Sequence, residues 1–313
     1  MKTFASGLIH HINRYVQLRR SLGYSFNSQA LILRAFGRFV SRRTDAGPLT
    51  QHLVLKFVLA CQVTPNVRAR RYAVLRNFAD YFSIFDSRTE ALDPQALPRS
   101  RAIPPARLLG EDELARLLKA AKKVSSLHPI RGTTLFTIIG LLVSTGLRSG
   151  EVARLDRSDV DLQQGVLRIR GTKFRKNRLV PLHPTTAEAL REYVNARDKA
   201  YPRSTSPAFF LSQRAGRLSQ SGFEDAFRQA RAKAGLDQGF PRKLRPHDLR
   251  HRFATTRLIT WYREGQEVQA RLPLLATYLG HTRYSDTAYY ITATPDLLGL
   301  AASRAFRRDG GVQ

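Results

Sequence analysis

A chain of 313 residues with 52 Lys+Arg against 24 Asp+Glu carries a formal net charge of +28. That balance points to a polyanionic partner, because neutralising phosphates releases their counterions. A hydrophobic content of 42% excludes a disordered chain, and the single Cys61, set in an apolar run, excludes an internal disulfide and suits a reducing compartment.

The apolar run Leu135–Val143 falls well below the roughly 20 residues of a membrane span. The opening MKTFASGLIHHINRYV lacks the apolar core of a signal peptide, so a cytoplasmic protein with no membrane partner is expected. Both halves are basic, with 17 Lys+Arg against 5 Asp+Glu up to residue 107 and 35 against 19 beyond it. Two folded lobes gripping one nucleic acid fit this distribution better than a basic tail does.

Apolar residues at Leu8, Ile12, Tyr15 and Val16 predict a first helix ending near Gly23. NSQALILRAFGRFVSRR predicts a second, with Leu31, Ala35 and Phe39 on its inner face and Ser28 as its cap. TQHLVLKFVLACQV and NVRARRYAVLRNFADYFSIF complete a four-helix bundle over residues 1–92. Arg68, Arg70, Arg71 and Arg76 mark a basic face on its last helix, either solvated or suited to tracking a DNA backbone. Residues 93–107, with Pro94, Pro98, Pro104 and Pro105, read as a linker, because proline fixes its own φ and extends the residue before it.

A second lobe spans residues 108–294. GEDELARLLKAAKKV predicts a helix with an acidic first turn, and TTLFTIIGLLVSTGLR a central helix apolar on nearly every side. GVLRIRGTKFRKNRLVPL predicts a hairpin, and PAFFLSQRAGRL a strand and turn. Helices follow at GFEDAFRQARAKAGL, PHDLRHRFATTRLITWY and QARLPLLATYLGH, and beyond DTAYYI. Residues 295–313 predict a tail helix with Leu297, Leu298, Ala301 and Phe306 as apolar positions, packed on its own domain or docked on a neighbouring protomer. The expected fold class is mainly α with a small antiparallel β-sheet.

Four stretches hold candidate chemistry. Gly146 breaks the buried helix and Arg148 follows, with Glu151 three residues on; an arginine there is buried only against an anion or a carboxylate. In PHDLRHRFAT, His247, Arg250 and His251 share one helix face, while Leu249 and Phe253 lie opposite. Imidazole and guanidinium converging there suit a phosphate oxygen, and a metal site lacks ligands. Lys173 in the hairpin turn, or its competitor Lys176, could protonate a leaving oxygen. LGHTRYSDTAYYITAT places His281 ahead of Tyr284, Tyr289 and Tyr290. A phenol with a pKa of about 10 becomes a nucleophile only where cationic neighbours favour its phenolate. Taken singly, each of these residues fits packing, a structural ion pair or a solvated face as well.

The order Arg148, Lys173, HDLRH, LGH, tyrosine resembles the tyrosine recombinase (phage integrase) family, and TKFRKNRLVPLH is similar to its transposon-encoded branch. The resemblance covers about residues 108–296. It implies a helical N-terminal core-binding domain followed by an α+β integrase-type catalytic domain. It further implies Arg148 and Arg250 as a phosphate clamp, Glu151 as support for Arg148, and Lys173 as general acid for the 5′-oxygen. His247 and His281 match the histidines that assist proton transfer and hold phosphate oxygens. Tyr290, nine residues after His281, matches the nucleophile, with Tyr289 as the fallback and Tyr284 too near.

The implied activity is that of a site-specific recombinase or transposase that cleaves and rejoins double-stranded DNA through a 3′-phosphotyrosyl link, with no metal or nucleotide cofactor. A homo-oligomer, a tetramer on two DNA sites, would carry it out, with accessory recombinases as further candidate partners. A type IB topoisomerase-like nicking-closing enzyme and a non-catalytic DNA-binding protein on the same fold are the alternatives. Two features depart from the family pattern. TWYREGQEVQARLPL lengthens the interval between Arg250 and His281, implying an enlarged loop or an extended helix, and Ile291 follows the tyrosine where a polar residue is usual.

Overall fold

The structure, a computed structural model, describes residues 4–43, 47–60, 62–98, 107–125, 129–170, 177–240 and 242–281, and singly 287, 290, 297 and 299. Two compact units divide the chain, Met1–Ile103 and Pro104–Gln313.

The first unit consists of α1 (Phe4–Ser21), α2 (Asn27–Ser41), α3 (Gln51–Leu59) and α4 (Pro65–Phe82). Leu8, Ile12, Tyr15 and Val16 are the buried face of α1, as their spacing predicts. In α2 the predicted inner face is turned: Leu31 is 66% exposed, and Ala30, Leu33, Phe36, Gly37 and Val40 face the core. Gly37 explains the rotation, since a Cβ there would lie 3.2 Å from the side chains of Ile9 and Ile12, so the bare backbone admits α1. The cap differs as well. Phe26, in the left-handed region (φ 47), precedes α2 without a side-chain bond, and the Ser28 hydroxyl accepts from Arg70 at 3.1 Å. The cost of that backbone, about 1–2 kcal/mol, is offset by burying the Phe26 ring edge-on to Tyr15.

Along α4, Tyr72, Leu75, Phe78, Ala79 and Phe82 are buried. The predicted basic residues spread over more than one side of the helix. Arg68, Arg71 and Arg76 are half-buried and Arg70 is exposed, because at about 100° per residue Arg70 lies across the helix from Arg68 and Arg76. Cys61 lies outside the described residues.

The second unit begins with α5 (Glu111–Lys122) and α6 (Pro129–Thr145), followed by α7 (Ser149–Arg154). Leu135, Ile138, Ile139, Leu141 and Leu142 put α6 at the centre of the core, packed by α5, by α8 (Pro184–Ala200) and by α10 (Pro246–Arg263). Strands β1 (Val160–Asp161), β2 (Val166–Ile169) and β3 (Arg178–Pro181) form one antiparallel sheet in the order β1-β2-β3. Leu167 pairs with Val180 and Ile169 with Arg178, and the buried Leu167, Ile169 and Val180 close over the core.

The protein is thus mostly helical with a small antiparallel sheet, the class its pattern predicts. The sequence signals named neither β1 nor α8. The latter is opened by the His183 side chain and Pro184 at its first turn, and buries Ala187, Leu190 and Tyr193. At PAFFLSQRAGRL only isolated antiparallel bridges form, Asp156 to Ala208 and Leu211 to Arg217.

After α9 (Gln220–Lys233), the long interval beyond Arg250 resolves as an extended helix. Helix α10 runs on to Arg263, turns at Gly265 (φ +70) and is followed by α11 (Val268–Leu279). These two helices build a second cluster from Ala254, Leu258, Val268, Leu272, Leu275 and Leu279, which Tyr290 and Leu297 complete. Among the described residues no helix is long and apolar enough to cross a membrane.

Candidate active site

Helix α6 stops at Thr145, and Gly146 turns the chain with φ +63. A Cβ at Gly146 would come within 2.5 Å of the Phe253 ring, so α6 and α10 can approach this closely only at glycine. The turn delivers Arg148 as the residue capping α7, where the Glu151 carboxylate accepts the Arg148 backbone N–H at 3.0 Å. The Arg148 guanidinium donates to Glu151 at 3.0 Å and to the Gly280 carbonyl at 3.0 Å.

Glu151 is buried, which alone would raise its pKa. Paired hydrogen bonds from Arg178 (3.0 and 2.8 Å), the Arg148 N–H and the charges of both guanidinium groups outweigh burial and hold it at about 2. The carboxylate is therefore a permanent anion.

Helix α10 begins at Pro246. Asp248, fully buried, accepts the Arg245 N–H at 2.7 Å and a paired contact from Arg242 at 2.8 and 3.1 Å. This fixes the first turn, from which His247, Arg250 and His251 project.

Arg250 has no exposed surface, and its guanidinium donates to the carbonyls of Gly146 and Leu279, both at 2.8 Å, and bonds the Tyr290 side chain. Burial, then the charge of Arg148, lowers its pKa to about 10, so it stays protonated at neutral pH. Its Nε–H has no partner among the described residues.

The end of α11 organises all three arginines. Successive carbonyls of Tyr278, Leu279 and Gly280 accept from Arg178 (2.9 Å), Arg250 (2.8 Å) and Arg148 (3.0 Å). The last carbonyls of a helix lack partners within it and sit at the negative end of its dipole, so cations are favoured there. Gly280 ends the helix with φ +68, while Gly280 N–H donates to Thr277 and His281 N–H to Ala276. A Cβ at Gly280 would lie 2.9 Å from an Arg178 nitrogen. The LGH motif is thus a helix terminus bared to receive guanidinium groups.

His281 Nδ1 lies 2.6 Å from the hydroxyl of the fully buried Thr287, whose carbonyl accepts the Tyr290 N–H at 3.0 Å. Tyr290 is 2% exposed. Its ring stacks near His281 (centroids 6.0 Å) and meets His251 edge-on at 5.3 Å, while His251 meets His247 edge-on at 4.7 Å. Burial, followed mainly by neighbouring cationic groups, lowers His247 and His251 to about 4 and His281 to about 3. At neutral pH, without DNA, all three imidazoles are therefore uncharged.

Because protonation of these imidazoles is resisted only in the folded state, their stability contribution is complete above the unfolded value of about 6.5 and is lost as pH falls towards 4. Thermal unfolding should show a falling melting temperature across that window. A His251→Gln variant should show a shallower fall, and an unchanged slope would contradict the shared burial of these rings.

The geometry therefore gathers Arg148, Glu151, His247, Arg250, His281 and Tyr290 within one chain. Lys173, Lys176, Tyr284 and Tyr289 lie outside the described residues. Arg68, Arg70, Arg71 and Arg76 belong to the first unit. Among the described residues no group of three His, Cys, Asp or Glu side chains could hold a metal ion.

The sequence model of the phage integrase family matches residues 107–296. The chain belongs to this family of tyrosine recombinases. It is 55% identical over 312 residues to the Sinorhizobium fredii integrase/recombinase y4rE, covering 100% of both chains. It is 29% identical over 280 residues to the tyrosine recombinase XerA of Thermococcus kodakarensis, covering 87% of this chain and 88% of that one. In fold it is similar to the Tn1549 transposon integrase, solved in complex with transposon right end DNA, with a TM-score of 0.67 at 16% identity over 95% of this chain and 98% of that one.

Within the phage integrase site, sequence reasoning did not single out Arg178 or the Arg242–Asp248 pair. A signal for Arg178 was present. In RLVP, Leu179 is 64% exposed and Val180 fully buried, so strand alternation turns Arg178 inward with Val180, where a cation needs partners.

Proposed function

We propose that this protein is a site-specific DNA recombinase of the transposon-encoded kind, with Tyr290 as nucleophile. The observation that carries this reading is the Tyr290 ring, 2% exposed, set beside Arg250 and against the His281 and His251 rings at 6.0 and 5.3 Å, while successive α11 carbonyls hold Arg250 and Arg148. Cationic neighbours favour the phenolate, and the negative charge of an entering phosphate raises the histidines from their lowered values, so that one of them can take the phenolic proton. The Tyr290 oxygen attacks a DNA phosphorus, the bond to the 5′-oxygen breaks, and Lys173 supplies the proton to that oxygen. A 3′-phosphotyrosyl link and a free 5′-hydroxyl result, and a 5′-hydroxyl from a partner strand reverses the step.

Arg148 and Arg250 neutralise charge on the non-bridging oxygens. A phosphate entering the site takes over contacts with Arg250 that the phenol holds without DNA. The net charge of +28 supplies backbone affinity, which should fall steeply with salt.

The full-length likeness to an integrase/recombinase supports recombination over topoisomerase-like nicking and closing. The transposon integrase neighbour is the support for the transposon-encoded branch, and it rests on fold. A tetramer on two DNA sites in the cytoplasm, with residues 295–313 docking between protomers, belongs to the same proposal. The buried Leu297 packs with its own chain's cluster, the alternative arrangement for the start of that tail.

The test is to incubate the protein with fragmented genomic DNA, denature it with detergent, and sequence the DNA that remains covalently attached. An adduct enriched in one sequence is expected, mapped by mass spectrometry to Tyr290. Absence of any adduct would overturn the enzymatic reading and favour a binding protein. Relaxation of supercoils by single sites, with no exchange between two, would favour the topoisomerase alternative.

A further inference from the structure

The two guanidinium groups on Glu151 are not equivalent. Arg178 spans both carboxylate oxygens, at 3.0 and 2.8 Å, and its Nε–H donates to Tyr278 at 2.9 Å. Among the described residues Arg148 makes one side-chain bond to Glu151 and one to Gly280, leaving three of its five side-chain N–H donors without a partner there. Exposure separates them too, since the Arg148 side chain is 35% exposed and that of Arg178 12%.

We infer that Arg178 is a positioning residue for DNA cleavage: by occupying both oxygens of Glu151, it keeps that carboxylate from drawing Arg148 away from the phosphate. This inference rests on the proposed reading of the site and extends it to a residue outside the phosphate clamp.

The physical reason is competition for one buried anion. A carboxylate offers about four acceptor positions. Here the Arg148 N–H, one Arg148 guanidinium nitrogen and two Arg178 nitrogens fill them. Without Arg178, the Glu151 carboxylate, whose side chain is 2% exposed, would be left with two unmet acceptor positions, a costly state for a buried anion. Arg148 is the cation already in contact, and a paired two-nitrogen grip is the preferred arginine–carboxylate geometry. That rotation would strip donors from the face it presents to DNA. Arg178 also ties β3 to the carbonyl row of α11, and the bare Gly280 gives it room.

The experiment uses a nicked duplex bearing the sequence that the wild-type protein traps, and reads separately the rate of covalent adduct formation and the affinity for DNA. Arg178→Met should slow adduct formation about 100-fold, as expected when a reacting group is displaced by about 1 Å, with DNA affinity little changed. Adding Glu151→Gln to that variant removes the competing charge and should restore about tenfold of the loss. A methylphosphonate at the scissile position, which needs less cationic neutralisation, should narrow the gap between variant and wild type.

A simple structural role would give equal losses on both substrates and no recovery in the double variant, and either result would overturn the inference. So would an Arg178→Met rate equal to wild type. Should Arg178→Met not fold, Arg178→Lys, which keeps the charge but offers one nitrogen, is run against the same substrates with the same criteria. If wild type forms no adduct, the proposed function itself fails; if it does and the variants match it, only the role of Arg178 falls.

Discussion

Replacing Arg250 with lysine should slow covalent complex formation about 10²–10³-fold, equivalent to about 3–4 kcal/mol of transition-state stabilisation, the scale of losing a preorganised donor. The guanidinium holds the Gly146 carbonyl, the Leu279 carbonyl and the Tyr290 side chain at once. A lysine ammonium has three donors on a single point and cannot span those directions. Buried with no carboxylate in direct contact among the described residues, it would also tend to lose its proton.

The same bonds tie the end of α6 to the end of α11, so thermal stability should fall as well. Comparing adduct formation with DNA binding at a temperature where the variant is folded separates chemistry from folding. A lysine variant that cleaves at near wild-type rate would remove Arg250 from the phosphate clamp.

Tyr290→Phe should abolish the adduct altogether. The change deletes one oxygen from a ring that stays packed among Leu258, Leu275 and their neighbours, so the fold and DNA binding should survive. Arg250 loses one hydrogen-bond partner and keeps two carbonyl acceptors, a stability cost of about 1 kcal/mol. Gel assays of detergent-stable complexes on the nicked duplex read the chemistry, and equilibrium binding reads the rest. If Tyr290→Phe still trapped DNA while Tyr289→Phe did not, the nucleophile would be the neighbouring residue.

Periodicity located most of the helices because each buries one face that recurs every three to four residues. It misjudged the orientation of α2, because Leu31 and Leu33 are equally apolar and only the approach of α1 onto Gly37 chooses between them. The four arginines of α4 looked like one surface in sequence, yet at about 100° per residue Arg70 lies across the helix from Arg68 and Arg76, with Arg71 between Arg70 and Arg68. The extra residues after Arg250 could be loop or helix on paper, and burial of Leu258 and Leu272 against one another's helices made them helix.

The sequence by itself determined the family, the mainly helical class and the residue types of the site, since these depend on local spacing and on motifs kept in a fixed order. Only the tertiary structure decided how those residues are held. The row of carbonyls from Tyr278 to Gly280, the sharing of Glu151 between Arg148 and Arg178, and the lowered pKa values of three histidines all arise where α6, β3, α10 and α11 converge. Hydrogen bonds between residues a hundred positions apart, and the loss of water around them, leave no periodic trace in the chain, so chemistry could be named from the residues while its electrostatics waited on packing.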